Sequence, residues 1–116
     1  MPNDSLFGVH GSALEVRSQR MGVLASNIAN ASTPGFKAQD VDFHTALAAV
    51  ENAGGGNASI TGALQYRVPS QPSLDGNTVE LATEQTAFAE NAVAYQTTLS
   101  FLNGRISQIT RALRGE

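Results

Sequence analysis

The residues best suited to chemistry stand together near the middle of the chain, where Asp40, Asp42 and His44 alternate with apolar residues. Two carboxylates and an imidazole could bind a divalent metal ion or act in general acid–base catalysis. A metal site would need further ligands, and the second histidine, His10, is 34 residues away. We therefore interpret this group as a solvent-facing helix start at which Asp42 caps the backbone.

Other motifs with chemical potential are better explained as turns. Asp75-Gly76-Asn77 begins like a calcium-binding loop but lacks the acidic ladder and the glutamate at the twelfth position. Asn30-Ala31-Ser32 and Asn57-Ala58-Ser59 fit the glycosylation sequon, yet their composition is that of turns and helix ends. The sequence has no cysteine, phosphate-binding loop, nucleophile elbow or dinucleotide-binding fingerprint. It predicts no catalytic, cofactor-binding or metal-binding residue, and hence no enzyme.

The supply of large apolar side chains is small for a chain of 116 residues. Hydrophobic residues make up 41% of the chain, but 17 of them are alanine, and Leu, Ile, Val and Phe together number 27. A core built from this supply is thin, so we expect the chain to depend on partners. A net charge of −3 argues against nucleic acid as one of them. No apolar run approaches the roughly 18 residues of a membrane span.

Hydrophobic periodicity predicts a long C-terminal helix from about Thr78 to Arg114, with Gly115 as its stop. Apolar residues recur there at alternating steps of four and three, which is the a/d pattern of a coiled coil. At roughly 1.5 Å per residue this helix would be about 52 Å long, more than a small globule needs. Its apolar row, which we interpret as an assembly seam, contains Leu81, Phe88, Tyr95, Leu99, Leu102, Ile106, Ile109 and Leu113.

A second helix is predicted from roughly Ser5 to Ala29, because apolar residues follow the same spacing. Three glycines weaken it by about 1 kcal/mol each relative to alanine. We therefore expect it to pair with the C-terminal helix. The predicted fold class is mainly α, with long terminal helices in segments 1–32 and 78–116 paired as a coiled coil. The N-terminal part of the seam contains Leu14, Met21, Leu24 and Ile28.

The segment 33–77 between these helices is irregular, with a short helix and a short β element. Residues 33–36 fit a type II turn, because proline and then glycine occupy its central positions. A glycine-rich linker follows at 53–57, and alternation at Leu64–Val68 predicts a strand that Pro69 ends. The short helix capped by Asp42 has one apolar face, formed by Phe43, Ala46, Leu47 and Val50.

Two segments resemble the flagellar axial proteins, which are the rod, hook and hook-associated subunits. Leu24–Ala38 is similar to the family signature in which an asparagine-containing helix end is followed by Thr-Pro-Gly and an aromatic residue, with Ser32 in place of the usual Asn or Asp. Tyr66–Glu80 resembles the segment before the C-terminal helix of rod subunits. The resemblance covers nearly the whole chain. The matching turn residues are Asn27, Asn30, Thr33, Pro34, Gly35 and Phe36.

The resemblance implies a structural subunit of the proximal rod of the flagellar basal body, required for motility and polymerising through its terminal helices. The implied partners are other rod subunits, copies of the chain itself, the basal-body adaptor protein, the MS ring and the flagellar type III export gate. The implied location is the rod in the periplasmic space, reached without a cleaved signal peptide. Residues 1–10 lack the basic start and apolar run of such a signal.

The resemblance also implies a short Phe-x-x-x-apolar motif that the export gate binds. Phe43 and Leu47 match it, and their spacing places both side chains on one turn of a helix. They could equally serve only to pack the short helix onto its neighbours. The alternative function is a soluble helical adaptor or secretion chaperone, which would not need the Thr-Pro-Gly turn.

Overall fold

The computed structural model describes residues 8–53 and 60–115. It is mainly helical, with two long helices and a short strand pair between them, so the predicted fold class is confirmed. The predicted helix start at Ser5, the glycines of the linker and the sequon at Asn57 lie outside the described residues. The elements are α1 (Gly8–Ala29), β1 (Gln39–Val41), α2 (Phe43–Asn52), a 3₁₀ turn (Thr61–Ala63), β2 (Leu64–Tyr66) and α3 (Leu81–Arg114).

Helices α1 and α3 pack side by side in antiparallel orientation. Near the end of α1, Asn27 donates a hydrogen bond to Glu84 at 2.9 Å. Near its start, the ring of His10 stacks on Phe101 with centroids 5.5 Å apart. Residue numbers therefore fall along α1 as they rise along α3. The molecule is elongated, 65 Å by 25 Å by 18 Å.

Helix α2 closes a small core against α1 and the strands. Asp42 caps it, accepting a hydrogen bond from the backbone N–H of Thr45 at 3.4 Å, as predicted. The predicted apolar face of α2 is confirmed, because all four of its members belong to this core. The buried core residues are Val16, Val41, Ala46, Val50, Ile60 and Ala63, and Val23, Phe43, Leu47 and Leu64 pack against them.

The two strands pair antiparallel within the chain, with Gln39 opposite Tyr66 and Val41 opposite Leu64. The sequence predicted β2 as far as Val68, but the strand ends at Tyr66 and Val68 is exposed. Strand β1 was not predicted, because its three residues show no apolar alternation. It exists because β2 supplies its hydrogen-bond partners.

Helix α3 begins at Leu81, three residues later than predicted. The reason is that Thr78 is held outside the helix by two hydrogen bonds to the segment after α1. Its N–H donates to the carbonyl of Phe36 at 2.9 Å, and its hydroxyl accepts from the N–H of Ala38 at 2.8 Å. The predicted stop at Gly115 is confirmed, since this residue has a φ of +77°.

Candidate assembly interface

The turn after α1 has the geometry that its sequence predicts. The N–H of Phe36 donates to the carbonyl of Thr33 at 3.2 Å, and Gly35 has the positive φ, +76°, that a type II turn needs at its third position. Polar side chains close the helix end. The amide of Asn30 donates to the carbonyl of Ser26 at 2.8 Å, and the Thr33 hydroxyl donates to Asn30 Oδ1 at 2.9 Å.

The two segments that carry the family resemblance contact each other, although 27 residues separate them in the sequence. The N–H of Gly35 donates to the carbonyl of Asp75 at 2.9 Å. The side-chain amide of Asn77 binds backbone carbonyls of the turn that follows α1. It donates, at 2.8–3.1 Å, to the carbonyls of Asn30, Ala31 and Thr33.

Glycine is required on both sides of this contact. Gly76 has a φ of +78° and Gly35 a φ of +76°, a backbone conformation that other residues rarely adopt without strain. Lys37 crosses the contact and donates a hydrogen bond to the carbonyl of Gly76. The two turns thus fix where the chain leaves α1 and where it approaches α3.

A buried polar network joins both helices to the strand pair. Glu84, which is fully buried, lies 2.6 Å from Arg67 Nε and accepts a hydrogen bond from the amide of Asn27 at 2.9 Å. Arg20 binds both carboxylate oxygens of Asp40, at 2.7 and 2.9 Å. Arg67 also reaches Asp40, at 2.9 Å. Each of the two carboxylates is therefore held by at least one arginine.

Sequence reasoning identified Asn27 and Asp40 but missed Arg20, Arg67 and Glu84. It placed Asp40 in a solvent-facing helix start, which is wrong, because Asp40 lies in β1 and is paired with two arginines. Arg20 and Glu84 lie on helices that were predicted from their apolar residues, a pattern that does not distinguish one polar position from another. Arg67 occupies a polar position of an alternating strand. The one available signal was the position of Arg67 within the segment that resembles rod subunits. Among the described residues, no group of three or more metal-ligating side chains could hold an ion.

Arginine contacts determine the ionisation of Asp40. Burial alone would raise the pKa of this carboxyl. Hydrogen bonds from Arg20 and from the N–H of Val41, together with the charges of Arg20 and Arg67, outweigh burial and hold the pKa below its ordinary value.

Acid is therefore expected to destabilise the fold through Asp40. Because its folded pKa is below the unfolded value of about 3.9, its stabilisation is present above that value and is lost as the pH falls through the folded pKa. Urea unfolding between about pH 2 and pH 7 should show a stability difference between wild type and Asp40→Asn that shrinks in acid. A difference independent of pH would contradict this assignment.

The predicted seam residues of α1 and α3 are distributed unevenly between buried and exposed positions. Leu24 of α1 and Leu102 of α3 are buried. The half-buried members are Leu14, Met21, Ile28, Phe88, Tyr95 and Ile109, and the exposed members are Leu81, Leu99, Ile106 and Leu113. The residues that α3 buries most deeply are small or polar apart from one leucine; they are Glu84, Ala87, Asn91, Thr98 and Leu102. Much of the larger apolar row therefore remains accessible.

Seam residues from both helices line one apolar groove, which we call the Leu99 groove. It has a volume of about 340 Å³ and is lined by Gly11, Leu14, Leu99, Leu102, Asn103 and Ile106. None of these side chains is charged. The groove is open to solvent between α1 and α3 and can accept apolar side chains from another molecule.

The residues of the predicted export motif are packed in the folded chain. Phe43 and Leu47 are half-buried and contact the core beside Val16. The guanidinium of Arg17 lies over the ring of Phe43, 4.4 Å from its centroid, in a cation–π contact. Both side chains are therefore partly covered in the folded chain.

Paired terminal helices, the Thr-Pro-Gly turn and an open apolar row together define an elongated helical subunit that offers an apolar surface to neighbouring molecules. The profile of the family described as "Flagella basal body rod protein" matches residues 7–37. Over nearly the whole length, the chain is 48% identical to the flagellar basal body rod protein FlgB of Cereibacter sphaeroides, covering 95% of this chain and 94% of that protein. It is 45% identical to FlgB of Aeromonas hydrophila, with 97% and 96% covered, and 41% identical to FlgB of Escherichia coli, with 96% and 94% covered.

The chain therefore belongs to the FlgB family and is a component of the flagellar basal body rod. The resemblance predicted from its two motifs is confirmed. The alignments extend over 121–130 positions against 116 residues, so the relatives have residues that this chain lacks. Within residues 8–53 and 60–115, no helix combines the length and apolar character that crossing a bilayer requires.

Proposed function

We propose that this chain is a structural subunit of the proximal rod, exported by the flagellar type III apparatus and polymerising through α1 and α3. Its neighbours are other rod subunits, further copies of itself, the basal-body adaptor protein and the MS ring, in the periplasmic space. Motility depends on it, and its role requires no catalysis. Membership of the FlgB family supports the assignment, and the Leu99 groove supports the mode of assembly.

The exposed seam residues carry the proposal. Leu81, Leu99, Ile106 and Leu113 each expose 38% or more of their surface on a helix that has a packed partner on another side. Burial of a fully exposed side chain of this kind contributes about 1.5–3 kcal/mol, and each of these residues can contribute in proportion to the surface it still exposes. A neighbouring subunit that covers this row would therefore add favourable free energy to assembly.

Replacing Ile106 with aspartate is expected to abolish rod assembly and motility while export of the subunit continues. A charge placed in a groove that assembly must dry costs several kcal/mol. Ile106 is a better test than Leu102, which is only 5% exposed and also supports α1 against α3. Imaging of purified basal bodies, motility assays and detection of the exported protein measure the three effects separately.

The matched control is Ser107→Asp, which adds the same charge one residue further along an exposed part of α3, outside the Leu99 groove. It should assemble rods nearly as well as wild type. Equal loss of rods in the two variants would show that the groove is not the assembly surface. Loss of export in Ile106→Asp would mean that the substitution acts before assembly.

A further inference from the structure

The middle of α3 has a surface without charge. Between Glu90 and Arg105 lie fourteen residues, Asn91–Gly104, none of which is charged. At about 1.5 Å per residue they cover about 21 Å of helix. Only three of them, Asn91, Thr98 and Leu102, are buried. Charged residues make up about a quarter of an average soluble protein, and they are depleted where protein interfaces are most buried.

This uncharged section has apolar side chains on two sides of the helix. Leu99 and Ile106 lie within about 20° of each other at roughly 100° per residue, and they line the Leu99 groove. Val93 and Phe101 are 66% and 61% exposed. Their midpoint lies about 170° around the helix axis from the midpoint of Leu99 and Ile106. We call this second surface the Val93 face; it consists of Val93, Thr97, Phe101 and Gly104.

The Val93 face is shaped for close approach by another helix. A Cβ added to Gly104 would meet no atom within 4 Å, so the backbone is open on this side. The ring of Phe101 is held in place by its stack on His10 of α1. Glu90 and Arg105 lie at the two ends of the face, where charges suit the rim of an interface.

We propose, on the basis of the function proposed above, that the Val93 face of one copy of this chain docks in the Leu99 groove of a second copy. Both surfaces are uncharged, so neither leaves a buried charge unpaired when they meet. Phe101 and Val93 supply projecting apolar side chains, and the groove supplies an apolar recess of about 340 Å³.

The position of the two surfaces on opposite sides of α3 favours this pairing over a symmetric one. If two Leu99 grooves paired with each other, the dimer would be closed and would leave Val93 and Phe101 in water. Pairing of one surface with the other buries both, and each added copy presents a new free surface. Such heterologous contacts can repeat without closing.

The absence of cysteine in the chain allows a direct test by disulfide cross-linking in assembled basal bodies. The double variant Val93→Cys/Ile106→Cys, expressed at full length and oxidised in purified basal bodies, should form a ladder of dimers and larger species. Each single variant alone should stay monomeric on a non-reducing gel. Thr97→Cys/Asn103→Cys provides a second pair on the same surfaces, with polar residues whose replacement perturbs packing less.

Dimers in the Val93→Cys or Ile106→Cys single variant would show symmetric pairing and overturn the proposal. If each double variant assembled into rods and neither formed cross-linked species, the proposal would also be overturned, while the assignment as a rod subunit would stand. If the cysteine-free parent were absent from purified rods, the proposed function itself would fail, and this inference with it.

Discussion

Replacing Glu84 with alanine is expected to lower the free energy of unfolding by about 3–5 kcal/mol, the range found when one partner of a buried ion pair is removed. Glu84 is fully buried and lies against Arg67 and the amide of Asn27. Loss of the Glu84 carboxylate leaves Asp40 as the remaining carboxylate partner of Arg67. It also removes the oxygen that accepts a hydrogen bond from the Asn27 amide. Urea unfolding of the purified chain measures the change.

Two further variants separate the charge from the hydrogen bonds. Glu84→Gln keeps an oxygen that can accept from Asn27, so it should cost less than Glu84→Ala. Combining Glu84→Leu with Arg67→Leu removes both charges and should recover much of the lost stability, because apolar pairs often replace buried ion pairs without loss. A cost below about 1 kcal/mol for Glu84→Ala would show that the network does not stabilise the fold.

The long helices could be predicted because their signals are local and repeated. Apolar spacing over several heptads indicated both terminal helices, and a single glycine in the left-handed region marked the end of α3 at Gly115. The cap at Asp42 and the turn at residues 33–36 depend on only a few adjacent residues, and both were correctly predicted.

Features that depend on distant residues could not be predicted. Strand β1 forms only because Leu64–Tyr66 lies beside it, and α3 starts late because Thr78 bonds to residues after α1. The buried network joins Arg20 to Asp40 and Arg67 to Glu84, pairs separated by 20 and 17 residues. The spacing of apolar residues along one sequence gives no information about contacts between distant residues.

The orientation of α3 could not be predicted from the sequence either, although the helix itself was correctly predicted. Periodicity found an apolar row, but it could not tell which side of the helix faces α1. The deeply buried positions include the polar residues Glu84, Asn91 and Thr98. Burial of Glu84 and Asn91 is tolerated because each forms a hydrogen bond with α1. Leu99 and Ile106 consequently remain open to solvent.

Deletion of Phe43 through Leu47 is expected to leave the protein synthesised but retained in the cytoplasm. When these five residues form a helical turn, Phe43 and Leu47 lie side by side and give an export gate an apolar handle, even if the rest of the chain is unfolded. In the folded chain the same residues pack on the core, with Arg17 over Phe43. Moving the five residues to positions 54–56 should therefore restore secretion without restoring the rod.

Val50→Ala is the matched control for the packing role of this motif. Val50 is buried on the same face of α2, so its truncation weakens the core by about 1–3 kcal/mol while Phe43 and Leu47 remain in place. Secretion of this variant should match wild type, and secretion of Phe43→Ala/Leu47→Ala should fall sharply. The amount of subunit outside the cytoplasm, measured against the total amount made, distinguishes the two. If both variants were secreted normally, Phe43 and Leu47 would serve only to hold α2 against α1, because an unfolded chain passing the gate does not need its core.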